Sequence, residues 1–129
     1  KNTPTMLSLN DLNEIYDLIK DVKFVIADYS ISIPSCKPND YVYLDPPYAP
    51  ENKTSFVGYT SGGFSVDMHN ELFSLTKKIP GKFTMSNSNV DLVTSNFQGL
   101  EFKIDELEVR RRCNSKKPQS KTTEVIIYN

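Results

Sequence analysis

The chain has 129 residues, 38% of them hydrophobic and 24% charged, enough to bury the core of one soluble domain of modest size. A formal net charge of -1 excludes nucleic-acid binding through overall charge, so any such binding must use a local patch. The two cysteines, Cys36 and Cys113, lie outside any CxxC or His/Cys cluster, which argues for unpaired thiols in a reducing compartment and against a zinc or other metal site.

In chain order, Lys1-Asn2-Thr3-Pro4 brings neither an initiator methionine nor a signal-peptide pattern, so the chain is expected to be a piece of a longer polypeptide. No apolar run approaches the length of a membrane span. Ser8 or Asn10 is placed to cap a helix through DLNEIYDLIK, where Leu9, Leu12, Ile15, Tyr16 and Ile19 recur on one face. KFVIADY then reads as a short buried strand ending at Asp28. A loop with Pro34 and Pro38 leads into a second strand, YVYLD, residues 41–45.

Beyond a loop containing Ser, Gly and Asn, SVDMHNELFSLTKKI predicts an amphipathic helix. Ser65 is its N-cap, Lys77 and Lys78 fall in its last turn, and Pro80-Gly81 is its stop. KFTMSNS predicts a third strand, followed by a short helix near VDLVTSNF, a strand EFKIDELEVRR, a basic loop and a final strand TEVIIYN. The alternation predicts an α/β fold with parallel pairing, closed by an antiparallel hairpin. Ligands of such sheets sit at the carboxyl ends of the strands, where Asp28, Asp45 and Ser86-Asn87 are expected to meet.

YLDPPYAP, residues 43–50, carries the chemistry. Prolines fix the two φ angles after Asp45 and offer no N–H, so the Asp45 carboxylate and the Pro46 carbonyl converge as two acceptors on a rigid turn. An exocyclic aromatic amine supplies the two matching donors. Held there, its nitrogen loses conjugation with the ring and becomes able to attack a sulfonium methyl carbon, through preorganised electrostatics and positioning. Tyr48 offers a face for stacking the base, which must leave a duplex to arrive. Taken alone, Asp-Pro-Pro is equally well read as a stiff strand exit.

The DPPY tetrapeptide resembles the catalytic motif of the Dam-type, D12 class adenine-N6 DNA methyltransferases. The likeness extends in order and spacing from about residue 24 to the end: FVIADY is similar to the strand before the catalytic motif, and SFVGYTSGGFS to the aromatic loop that leads to a capped helix. SNS at 86–88 is similar to the next strand end, and VRRRCNSKK with EVIIYN to the terminal arginine-bearing hairpin. The resemblance implies a Rossmann-like sheet, S-adenosyl-L-methionine as methyl donor, double-stranded DNA as substrate and a cytoplasmic setting. It leaves open a cognate restriction endonuclease.

The resemblance implies roles residue by residue. Asp45, Pro46, Pro47 and Tyr48 are the catalytic turn, with Asp45 also near the cofactor, and Asp28 and Tyr29 sit where the family surrounds the cofactor's adenine. Tyr59 and Phe64 occupy the loop that closes over the flipped base or packs beneath it. Arg110, Arg111, Lys116 and Lys117 would meet DNA phosphates, in a stretch from 110 to 121 with six cations and no acidic residue. A strand-end Asp is also a good cap, and a charge run is also a good solvated face. Asn87 reads most simply as a turn former. His69, among polar neighbours, is expected at the surface with no role.

The family's lysine-bearing N-terminal segment, its glycine-rich cofactor turn and its target-recognition domain have no counterpart in this sequence. The expectation is therefore a C-terminal part of the catalytic domain, inactive or nearly so alone. Cytosine-N4 methylation fits the same acceptor pair, and a non-catalytic nucleic-acid-binding module is the alternative from another class.

Overall fold

Short polar caps decide where three of the four described α-helices begin. The computed structural model describes residues 6–50, 63–99, 101–110 and 121–129. Ser8 starts α1 (Leu9–Ile19) with a capping box: Ser8 Oγ accepts from the Asp11 N–H at 3.2 Å, and the Asp11 carboxylate accepts from the Ser8 N–H at 2.8 Å. The Ser8 hydroxyl, donating to the Asp11 carboxylate at 2.8 Å, and then the Ser8 N–H hold Asp11 below the usual carboxylate range. The apolar side of α1 is exposed along its whole length, from Leu9 to Ile19.

The expected strand over KFVIADY is not formed. Residues 22–28 adopt no regular structure, and Phe24 and Val25 are 76% and 67% exposed. A strand needs a neighbour to take its N–H and C=O groups, and no described strand lies beside this stretch. Asp28 consequently ends no strand. It caps the short helix α2 (Tyr29–Ser32), its Oδ1 accepting from the Ser30 N–H at 2.9 Å, and a 3-10 turn (Ile33–Ser35) follows.

The remaining elements follow the sequence pattern closely. They are β1 (Tyr41–Leu44), α3 (Val66–Thr76), β2 (Lys82–Ser88), α4 (Asp91–Phe97), β3 (Lys103–Arg110) and β4 (Lys121–Tyr128). Ser65 caps α3, accepting from the Met68 N–H at 3.2 Å. The strands form one sheet in the order β1-β2-β4-β3, with β1 and β2 parallel and β4 antiparallel to both of its neighbours. The α/β class, the parallel pair joined through a helix and the terminal antiparallel hairpin are all present.

The core lies between α3 and α4 and one face of the sheet. Leu72 and Phe73 of α3, Phe83 and Met85 of β2, Val93 and Phe97 of α4, and Val125 and Ile127 of β4 are buried. Full burial of a side chain such as Leu72 or Phe73 contributes about 1.5–3 kcal/mol. At the mouth of the parallel pair the Lys82 N–H donates to the Asp40 carbonyl at 3.0 Å, and Gly81 lets the two backbones meet. A Cβ there would collide with the Asp40 carbonyl and lie 2.8 Å from that of Lys37. Among the described residues no helix is long and apolar enough to cross a membrane.

Candidate active site

Strand alternation brings Asp45 into the open. Val42 and Leu44 turn toward the core while Tyr41 and Tyr43 stay exposed, so the next position of the exposed set is Asp45, just past the carboxyl end of β1. The parallel register sets Ser86 of β2 beside it. Ser86 Oγ donates to Asp45 Oδ1 at 3.0 Å, and the Tyr43 hydroxyl donates to Ser86 Oγ at 3.3 Å. One carboxylate oxygen is thereby fixed. The other has no protein partner among the described residues and is free to accept from a ligand.

The turn after Asp45 is gripped from three sides. The Ala49 N–H donates to Asn87 Oδ1 at 2.8 Å, and Asn87 Oδ1 also accepts from the Ser88 N–H at 2.9 Å. His69 Nε2 lies 3.1 Å from the Pro47 carbonyl oxygen, and its Nδ1 lies 2.9 Å from that of Ser65. The Tyr48 hydroxyl donates to Glu124 of β4 at 3.2 Å. Burial pushes the Tyr48 phenol up from its ordinary value; a hydrogen bond with Ser86 opposes this, and the Glu124 and Asp45 charges add to it. Asn87 Nδ2 is buried with no partner among the described residues.

His69 corrects the expectation of a surface histidine, because it is fully buried. The signal was present: His69, Leu72, Phe73 and Thr76 share one face of α3 at three- and four-residue spacing, and all four are buried. Asn87 is likewise more than a turn former. Its side chain spans from β2 to the turn after Asp45. Glu124 could not be foreseen, since its partner Tyr48 lies 76 residues away.

The other expected site residues fall in different places. Asp28, exposed at the head of α2, is held below the usual carboxylate range by its hydrogen bonds from Ser30. The Tyr29 hydroxyl donates to Glu71 at 2.9 Å. Burial, then the Glu71 hydrogen bond and charge, then the Asp28 charge, push the Tyr29 phenol up to about 12. Phe64 sits edge-on between Tyr29, at 5.7 Å between ring centres, and His69, at 4.6 Å. Tyr29 is thus linked to the turn after Asp45 through two rings. Arg110 closes β3 opposite Lys121. Tyr59, Arg111, Lys116 and Lys117 lie outside the described residues.

Comparison with known proteins bears on the family of the chain. The model of the D12 class N6 adenine-specific DNA methyltransferase family matches residues 1–113, so the match begins ahead of α1. The type II methyltransferase M.MjaIII of Methanocaldococcus jannaschii is 32% identical over 131 residues, covering 98% of this chain and 45% of that protein. The type II methyltransferase M1.LlaDCHI of Lactococcus lactis subsp. cremoris is 33% identical over 113 residues, covering 84% of this chain and 39% of that protein. The chain spans less than half the length of these relatives.

Proposed function

The chain belongs to the D12 class N6 adenine-specific DNA methyltransferase family, and on that premise we propose that its protein moves a methyl group from S-adenosyl-L-methionine to adenine N6 in double-stranded DNA. The observation that carries this is Asp45: an exposed carboxylate at the end of a parallel strand, one oxygen fixed by Ser86 and one open, followed by a turn that lacks N–H donors in its first two residues.

Asp45 and the Pro46 carbonyl accept the two hydrogens of the target amine, which turns its nitrogen lone pair toward the methyl donor. The cofactor supplies a sulfonium methyl group. Asp45 or water would take the amine proton once the methyl group has been accepted. Tyr48 stacks on the flipped base, its hydroxyl anchored at Glu124. Phe64, edge-on to His69, and Tyr59 are the aromatic residues that would close over the flipped base or pack beneath it. Arg110, Arg111, Lys116 and Lys117 hold phosphates, giving affinity that falls with salt.

Asp28 and Tyr29 fit the cofactor's adenine. The Asp28 carboxylate is exposed and accepts from Ser30, and it would accept from the adenine amine as well. The chain supplies the C-terminal part of the catalytic domain. The glycine-rich cofactor turn and the target-recognition domain belong to the rest of the protein, and the exposed apolar side of α1 with Phe24 and Val25 supports a further segment packing there. The cytoplasm, where donor and DNA meet, is the setting.

The test is incubation of the full-length protein with duplex DNA and methyl-labelled S-adenosylmethionine, followed by nucleoside analysis. Labelled N6-methyladenine is expected. Label in N4-methylcytosine would reassign the base, and DNA binding without transfer would mark a non-catalytic module.

A further inference from the structure

We propose that His69 is a positioning residue for the catalytic turn, donating from Nε2 to the Pro47 carbonyl and so fixing the direction in which the Asp45 and Pro46 acceptors face. The proposal rests on the methyltransferase reading of that turn. Prolines make the turn stiff but leave it without N–H groups at Pro46 and Pro47, so a carbonyl there needs a donor from elsewhere in the fold. Among the described residues, His69 is the group in hydrogen-bonding reach of the Pro47 oxygen, at 3.1 Å.

The ring has little freedom to do otherwise. It is fully buried, edge-on to Phe64 at 4.6 Å and tilted against Phe73 at 5.9 Å, so packing sets its plane. Its other nitrogen faces the Ser65 carbonyl, which already receives the His69 backbone N–H at 3.0 Å. A ring with one proton is favoured to place it on Nε2, where the acceptor has no other donor among the described residues, and a ring with two protons serves both carbonyls. In either form Nε2 donates to Pro47. Because Ser65 is the cap of α3, the histidine ties the helix start to the turn.

Misplacing a reacting group by about 1 Å can lower the rate roughly a hundredfold, so a turn held this way should show its anchor in kcat. The experiment compares His69→Gln with His69→Asn in the full-length protein. Glutamine presents an amide N–H at about the reach of Nε2, whereas asparagine stops nearer Nδ1. Expected for the glutamine variant is a kcat within about threefold of wild type, and for the asparagine variant a fall of about tenfold or more, with KM for DNA and cofactor changed less than about twofold in both. The Ala49 amide should exchange faster with solvent in the asparagine variant only. Equal kcat and equal exchange in the two variants would overturn the proposal, as would an effect confined to KM.

Amide exchange also separates this proposal from the methyltransferase reading. If the wild-type protein transfers no methyl group, that reading fails, yet the Ala49 comparison still decides whether His69 holds the turn. Should either variant fail to fold, nitrogen NMR of the wild-type imidazole decides instead: a slowly exchanging proton on Nε2 supports the anchor, and a bare Nε2 overturns it.

Discussion

Asn87 Oδ1 accepts from the Ala49 N–H at 2.8 Å across 38 residues of sequence, and both residues are buried. The same oxygen takes the Ser88 N–H. One amide carbonyl thus satisfies two buried donors and pins the far end of the DPPY turn to the strand that also carries Ser86. Asn87→Leu, close in volume, should destabilise the protein by roughly 2–4 kcal/mol, because two buried N–H groups lose their acceptor while one orphaned donor is removed with it. Chemical denaturation measures this.

Ser86→Ala tests the hold on Asp45. The hydroxyl donates at 3.0 Å to one carboxylate oxygen and receives the Tyr43 hydroxyl at 3.3 Å. A stability change of only about 0.5–1.5 kcal/mol is expected. The larger effect should appear in kcat of the full-length protein, with a fall on the order of tenfold as the carboxylate gains freedom to turn.

Gly81→Ala should disturb the mouth of the parallel pair. A Cβ would run into the Asp40 carbonyl, which is backbone and already bonded to the Lys82 N–H. Overpacking of this kind typically costs about 1–3 kcal/mol. A lowered thermal midpoint with an unchanged circular-dichroism spectrum is the expected result.

Tyr29 offers a pH-dependent signature. Its phenol is pushed up to about 12 by burial first and by Glu71 second. A folded-state value above the ordinary 10.0 means that the associated stability is fully present below pH 10 and is lost as pH rises toward 12. Ultraviolet titration of Glu71→Gln should therefore show Tyr29 ionising at lower pH than in wild type, with part of the elevation left because burial remains.

Local chemistry was the legible part of this fold. Ser8 and Ser65 cap the helices their sequence context predicts, and KFTMSNS is a strand over its full length, with Phe83 and Met85 alternating toward the core after the Pro80-Gly81 stop. The stiff turn after Asp45 could be read because its rigidity is covalent, written in two prolines. KFVIADY misled because a strand exists only beside another strand, and apolar residues report the wish for burial without naming the neighbour. The anchors of the turn are long-range. Asn87 and Glu124 gain their roles only once the sheet register is known, whereas His69 could have been placed inside from its helical phase with Leu72, Phe73 and Thr76.

The most direct test is methyl transfer by the full-length protein carrying Asp45→Ala. With no acidic acceptor at the end of β1, transfer to adenine N6 should fall by on the order of a hundredfold or more while the circular-dichroism spectrum and DNA binding stay as in wild type. Transfer at the wild-type rate would contradict the assignment of the chemistry to this turn.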